Sequence, residues 1–191
     1  VQLDGVAVTI DGKPAYVYYV SPNQIDVIAP ADSTVGPVPV IVTNNSAVSS
    51  SATVPQQAAA PAFFAAGKYA IATHANGSLV GPGNVLPGAT PATQGETIAV
   101  YGTGFGPTNP SVDGLVVSSP AAVTATPGVT IGSATASVTF AGLSGAGLDQ
   151  INLTVPALPA GSTGAVDVPI IAKAGAFSTQ TGVFVTVQSG N

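Results

Sequence analysis

The chain has 191 residues, enough for one large domain or two small ones, and only 6% of them are charged, against about 25% in an ordinary soluble domain. Three Lys, no Arg and a net charge of −5 exclude the clustered cations that a nucleic-acid backbone or an anionic membrane surface requires. The absence of Cys removes thiol catalysis, disulfides and thiolate metal sites together.

The mean hydropathy of +0.49 comes from abundant Ala and Val. The apolar runs are short and broken by Gly, Pro, Ser and Thr, and none approaches the roughly 18–20 apolar residues of a spanning helix, so membrane insertion is not expected. Val1 opens directly into strand-like sequence, with no basic leader and no Met anywhere, which reads as a processed product or an internal piece of a longer chain. The scarcity of Lys and Arg denies trypsin-like proteases their sites and suits an extracellular or cell-surface location.

In chain order the pattern is strand after strand. Val6, Val8 and Ile10 alternate with small or polar residues and run into Asp11-Gly12, a dipeptide made for a tight hairpin turn. Ile25 and Val27 alternate next, then Val38, Val40 and Val42. Pro55 to Thr93 is rich in Ala, Pro and Gly, with a short hairpin expected at Asn76-Gly77. Thr97 to Tyr101 reads as a strand that enters the glycine-rich turn Gly102-Thr103-Gly104-Phe105-Gly106. Val129 to Ile131 follows, then Ile151, Leu153 and Val155. Seventeen Pro and 23 Gly argue against long helices.

One unit occurs twice. Val8-Thr9-Ile10, Pro14-Ala15-Tyr16-Val17, Gln24-Ile25-Asp26-Val27 and Val38-Pro39-Val40-Ile41-Val42 return in the same order as Val129-Thr130-Ile131, Thr135-Ala136-Ser137-Val138, Gln150-Ile151-Asn152-Leu153 and Val168-Pro169-Ile170-Ile171-Ala172. The second copy carries Thr97 to Tyr101 ahead of its first block, whereas the first copy has only Val1 to Ala7 there. The fold expected is all-β: two tandem immunoglobulin-like β-sandwich domains, the first lacking a leading strand. The divisions are 1–62 for the incomplete first domain, 63–92 for a linker with a short hairpin, and 93–191 for the second domain.

Val8 to Ala15, Tyr19-Val20-Ser21-Pro22-Asn23-Gln24-Ile25, the Gly102 to Pro107 turn and Val129-Thr130-Ile131-Gly132 resemble an uncharacterised bacterial family of secreted proteins. Its C-terminal regions carry paired immunoglobulin-like modules in the style of the TIG/IPT group. The resemblance covers most of the chain and implies two β-sandwich modules, with no catalytic residues attached to it. The sequence departs from the family in lacking the leading strand of the first module.

Chemistry finds little purchase. Gly102, Gly104 and Gly106 lack the Gly-x-Gly-x-x-Gly spacing, and Pro107 and Pro110 forbid the helix that would hold a phosphate, so they read as a turn. His74 is the sole His and stands beside the Asn76-Gly77 turn, with no nucleophile motif anywhere, which reads as a polar turn residue. The eight acids are scattered singly, without calcium-loop spacing. No catalytic residue, metal site or cofactor is expected, and the protein is read as no enzyme. Aligning the repeats sets Val17 and Tyr19 opposite Val138 and Phe140 as core positions, and Tyr16 and Tyr18 opposite Ser137 and Thr139 on the outer face. Outward Tyr16 and Tyr18 are either an assembly or ligand surface or a local cross-strand pair. Asn44, Asn76 and Asn152 each begin an N-glycosylation triplet.

Two functional classes follow. One is a structural subunit of a surface fibre or filament, in which other copies of the chain complete the first domain by donating a strand, from Val1–Ile10 or Thr181–Gln188. The other is a carbohydrate-binding or adhesion module with glycan partners. Internal completion by Lys68–Val80 or Val85–Thr93 is one competing account of the gap, and removal of the missing strand with the rest of a longer chain is another.

Overall fold

In the computed structural model, which describes residues 2–112, 114–158 and 162–189, every regular element is a β-strand. Asp113, one of the scattered acids, lies outside the described residues, as does Val1. The first region holds β1 (Val6–Ile10), β2 (Lys13–Pro14), β3 (Tyr16–Ser21), β4 (Gln24–Ile28), β5 (Gly36–Asn44), β6 (Ala47–Val48) and β7 (Ala52–Gln56). β1 is antiparallel to β2 and β5, and β5 pairs in turn with β6 and β7. β3 and β4 form a separate two-stranded sheet. Asp11 (φ 51°) and Gly12 (φ 71°) both take positive φ in the turn between β1 and β2, as the hairpin there requires. The core is small: Val8, Ala15 and Val17 are buried, with Ile10, Val20, Ile25, Val27, Val40 and Val42 only partly covered around them.

The second region holds β8 (Ala62–Phe63), β9 (Ala65–Ala66), β10 (Tyr69–Ala70), β11 (Ala72–Thr73), β12 (Ala92–Thr93), β13 (Thr97–Thr103), β14 (Thr108–Asn109), β15 (Ala121–Val123), β16 (Gly128–Ile131), β17 (Ala134–Gly145), β18 (Leu148–Thr154), β19 (Ala165–Ala174), β20 (Phe177–Ser178) and β21 (Phe184–Gln188). The sequence between the repeats is drawn into this region. β8 and β11 pair with β13, while β10 and β12 run parallel to β21. The glycine-rich turn lets the chain at β8 approach β13 closely. A Cβ at Gly102 would run into the Ala62 carbonyl, and one at Gly104 into the Ala60 carbonyl. A continuous core of Ile98, Val100, Val129, Ile131, Ile151, Leu153, Ile170 and Val187, each no more than 2% exposed, lies inside.

The repeat holds at the level of register. Val17↔Val27 and Tyr19↔Asp26 recur as Val138↔Leu153 and Phe140↔Asn152, with a bulge at the same place in each pair. Asp11 donates to Pro39 O (2.9 Å) as Gly132 donates to Pro169 O (2.8 Å). Ser49 exchanges two bonds with Val42, N–H to carbonyl at 2.9 Å and Oγ from the Val42 N–H at 3.0 Å. Thr179 makes the same exchange with Ala172, at 2.9 and 3.1 Å. The two sites differ in burial, Thr179 being 4% exposed and Ser49 open to water.

The bulge corrects one expectation. Tyr19, read as a core position, is 46% exposed. One extra residue, Tyr18, sits between two paired positions and reverses the in–out parity beyond it, so Val20 rather than Tyr19 faces the core.

The shared exchange at Ser49 and Thr179 predicts unequal costs. Thr179→Val leaves a buried N–H of Ala172 unpaired and is expected to lose about 1–3 kcal/mol, while Ser49→Ala, where water replaces the hydroxyl, loses about 1 kcal/mol or less. Urea denaturation of the two variants checks the order.

Candidate functional site: the open edge of the first region

The aligned registers show what the first region lacks. In the second region β18 is flanked on both sides, by β17 and by β13, with Ile98↔Leu153 and Val100↔Ile151 in register. Among the described residues the equivalent strand, β4, pairs with β3 alone. In the second region β12 lies parallel to β21, Ala92↔Val187 and Thr93↔Gln188. Among the described residues the equivalent strand, β7, pairs with β5 alone. One continuous segment, Ala92–Thr103, therefore seals two edges in the second region, and both counterpart edges in the first region are open.

Burial follows the pairing. Ile151 and Leu153 are 0% exposed, and their counterparts Ile25 and Val27 are half-buried. Val185 is 2% exposed, and its counterpart Val54 is 40% exposed. Pro39↔Thr53 and Pro169↔Phe184 fix that correspondence. The open edge thus combines unpaired backbone on β4 and β7 with apolar side chains that lack a covering strand, the arrangement that accepts an added strand.

The segments expected to fill the gap from within are committed elsewhere. β10 and β11, from Lys68–Val80, pair with β21 and β13, and Val80 bridges to Thr90. In the two segments named as donors, Val1–Ile10 and Thr181–Gln188, residues Val6–Ile10 are β1 and Phe184–Gln188 are β21, each paired within its own region.

Near this edge the surface is aromatic. Tyr18 is 62% and Tyr19 46% exposed, and Tyr16 is half-buried opposite Ile28. Sequence reading missed Tyr19 as part of this surface, since only the bulge turns it outward. The β4–β5 connection is pinned by an ion pair: Lys13 Nζ lies 2.8 Å from Asp32 Oδ1, which also accepts from the Thr34 N–H (3.0 Å) and hydroxyl (2.9 Å). The Lys13 ammonium first, and then the Thr34 N–H, hold the Asp32 carboxyl well below the usual carboxylate range.

His74, Glu96, Asp149 and Asp167 tie elements of the second region together. His74 Nδ1 meets Glu96 Oε1, and Nε2 meets Thr90 O (3.2 Å) and Oγ1 (3.1 Å). His74 therefore ties the 74–79 hairpin to the β12–β13 turn. Burial pushes the Glu96 carboxyl up, but the Thr93 N–H and His74 together outweigh it and leave it lowered. Asp149, 3% exposed, accepts from the Phe105 N–H at 3.2 Å. Asp167 binds Lys68 (2.9 Å), the Tyr69 hydroxyl (2.9 Å) and the Thr186 hydroxyl (2.8 Å). Among the described residues no group of three or more His, Asp or Glu side chains could hold a metal ion. Asn44 and Asn76 stand exposed at turns, Asn76 Oδ1 accepting from Ser78 N–H (2.9 Å) and hydroxyl (2.7 Å), and Asn152 is half-buried on β18. No described helix is long and apolar enough to cross a membrane.

Residues 2–56 match the family model of the IPT/TIG domain. The match covers the first region, open edge included, and identifies it as an immunoglobulin-like module in an all-β chain. No curated protein matches the chain.

The Asp32 cluster predicts acid sensitivity of the first region. A carboxylate lowered by folding stabilises the fold above its unfolded value, near 4, and that contribution is lost as pH falls towards the folded value. Stability of the first region is therefore expected to decline below about pH 4, and Asp32→Asn is expected to flatten that decline. Thermal melts between neutral and acidic pH check it.

Proposed function

We propose that the protein is a non-enzymatic extracellular structural subunit, built into a fibre or filament by strand addition between copies. The observation that carries this reading is the paired vacancy at β4 and β7, where the second region has Ala92–Thr103. An added strand restores backbone pairing on two edges and covers Ile25, Val27 and Val54. A strand given by one copy to the edge of the next makes a head-to-tail contact, and a head-to-tail contact that does not close produces a filament. The low charge offers little repulsion to dense packing.

In this reading the first module ends near residue 62 and the second begins at 93, and the stretch 63–92 that joins them pairs its short strands on the second module. The exposed Asn44 and Asn76 are the modification sites an extracellular chain would present, with Asn152 less accessible on its strand. The exposed Tyr18 and Tyr19 favour a second reading, an adhesion module of a bacterial secreted protein, in which aromatic rings anchor a protein or glycan partner.

Negative-stain microscopy and sedimentation of the whole chain test the first reading. Regular, concentration-dependent filaments are expected, and Tyr16→Ser with Tyr18→Thr is expected to keep the β circular-dichroism spectrum while weakening assembly. Monomers at every concentration would overturn it, and monomers that retain glycan binding would favour the second.

A further inference from the structure

A shallow groove of about 330 Å³ lies on the outer face of β13 and β18, under the 74–79 hairpin. Its floor is made by outward positions of two adjacent strands, Thr97, Ala99 and Tyr101 on β13 and Gln150 and Asn152 on β18, with His74 at the rim. Tyr101 is held in place by its hydroxyl, 3.3 Å from Thr73 Oγ1, and is half-buried, so the ring forms a fixed wall. Gln150 Nε2 donates to Asn152 Oδ1 at 2.8 Å. That bond uses one donor of Gln150 and one acceptor position of Asn152. It leaves Gln150 Oε1 as an acceptor and Asn152 Nδ2 as a donor side by side, both locked in orientation by the bond they share.

We infer that this groove is a binding site for a neutral saccharide. An adjacent fixed acceptor and donor match two vicinal hydroxyls, each of which both gives and takes a hydrogen bond. The methyl floor of Ala99 and the ring of Tyr101 supply the apolar surface on which the carbon face of a pyranose rests. The floor carries no charged side chain. At the rim His74 is already paired with Glu96, and the β18 acid Asp149 points into the protein interior towards the Phe105 N–H. A charged sugar therefore finds no counter-ion. The volume falls at the small end of ligand sites, which suits one or two sugar rings.

The repeat provides an internal control. Gln24 and Asp26 on β4 reproduce the amide bond, Gln24 Nε2 to Asp26 Oδ1 at 2.8 Å, but β4 has only β3 beside it among the described residues and lacks the second flanking strand, with its Ala and Tyr floor, that β13 supplies to β18. In addition, Asp26 places a carboxylate where Asn152 places a donor. The saccharide reading thus belongs to the second region and does not depend on strand addition at the first.

The test is a nuclear magnetic resonance titration of the whole chain with cellobiose, maltose and N,N′-diacetylchitobiose, and with a digalacturonate as the charged comparison. At least one neutral disaccharide is expected to shift the Ala99 and Tyr101 backbone amides and the Gln150 and Asn152 side-chain amides. Its dissociation constant is expected to be near or above 1 mM, in the range of weak binding, and Gln24 is expected not to move. Gln150→Ala is expected to weaken that binding at least about tenfold while the core methyl resonances stay in place, a loss of about 1.4 kcal/mol. Tyr101→Phe keeps the ring and is expected to retain most of it. No shift at these four residues with any neutral disaccharide at tens of millimolar, or equal shifts at Gln24, overturns the assignment.

Discussion

Backbone pairing is the constraint on which the rest of this structure depends. A strand offers a donor and an acceptor at each residue, and an edge left without a partner is both costly when buried and adhesive when exposed. The second region answers the constraint by laying short strands from residues 62–93 along β13 and β21, so that β13, β18 and β21 are flanked on both sides. The first region shares the same sequence unit, bulge and side-chain exchanges, yet β4 and β7 end in open edges. The difference in burial between Val54 and Val185, at 40% and 2%, is the direct consequence in packing. Full burial of a side chain of that size is worth about 1.5–3 kcal/mol. Covering the edge therefore has a substantial driving force, opposed by the ordering of the incoming strand.

The scarcity of charge shapes what holds the chain together. The cations of the Lys13–Asp32 and Lys68–Asp167 pairs do more than neutralise. Lys13 fixes the connection between β4 and β5 through Asp32. Lys68 sits between Asp167 and the rings of Tyr69 and Phe184, at 5.3 and 5.1 Å, where β10 meets β21. Both pairs lie at joints between elements that the hydrophobic pattern alone would leave loosely registered. The one His plays the same part, joining the 74–79 hairpin to the turn before β13. That joint also makes the rim of the groove, so the sealing of the second region and its capacity to bind share one set of residues.

Much of this was legible in the sequence, for physical reasons. Period-two alternation specified the strands, and the order of the four repeated blocks specified that β16–β19 would copy β1–β5. The missing counterpart of Thr97–Tyr101 could be read by subtraction, since a strand absent from one repeat must leave an edge in it. What was not legible depends on contacts rather than on pattern. The bulge at Tyr18 inserts one residue without any Gly or Pro to announce it, so Tyr19 was read inward when it faces out. The short strands of residues 62–93 are only two residues long, below the length at which alternation can be recognised, and the approach of β8 to β13 depends on Gly102 and Gly104 admitting a neighbouring backbone. The groove was invisible because its floor comes from strands about fifty residues apart, joined only by register.

The central claim is that β4 and β7 form an acceptor for a segment of the kind that seals the second region. It is tested most directly by adding a synthetic peptide of the Ala92–Thr103 sequence to the whole chain and following amide hydrogen exchange. Without peptide, the Gln24–Ile28 amides are expected to exchange far faster than those of Gln150–Thr154. With saturating peptide, they are expected to slow towards the β18 rates, because binding to the folded state alone raises the free energy of opening. Gln24–Ile28 amides already as protected as those of β18, or unchanged by the peptide, would contradict the account.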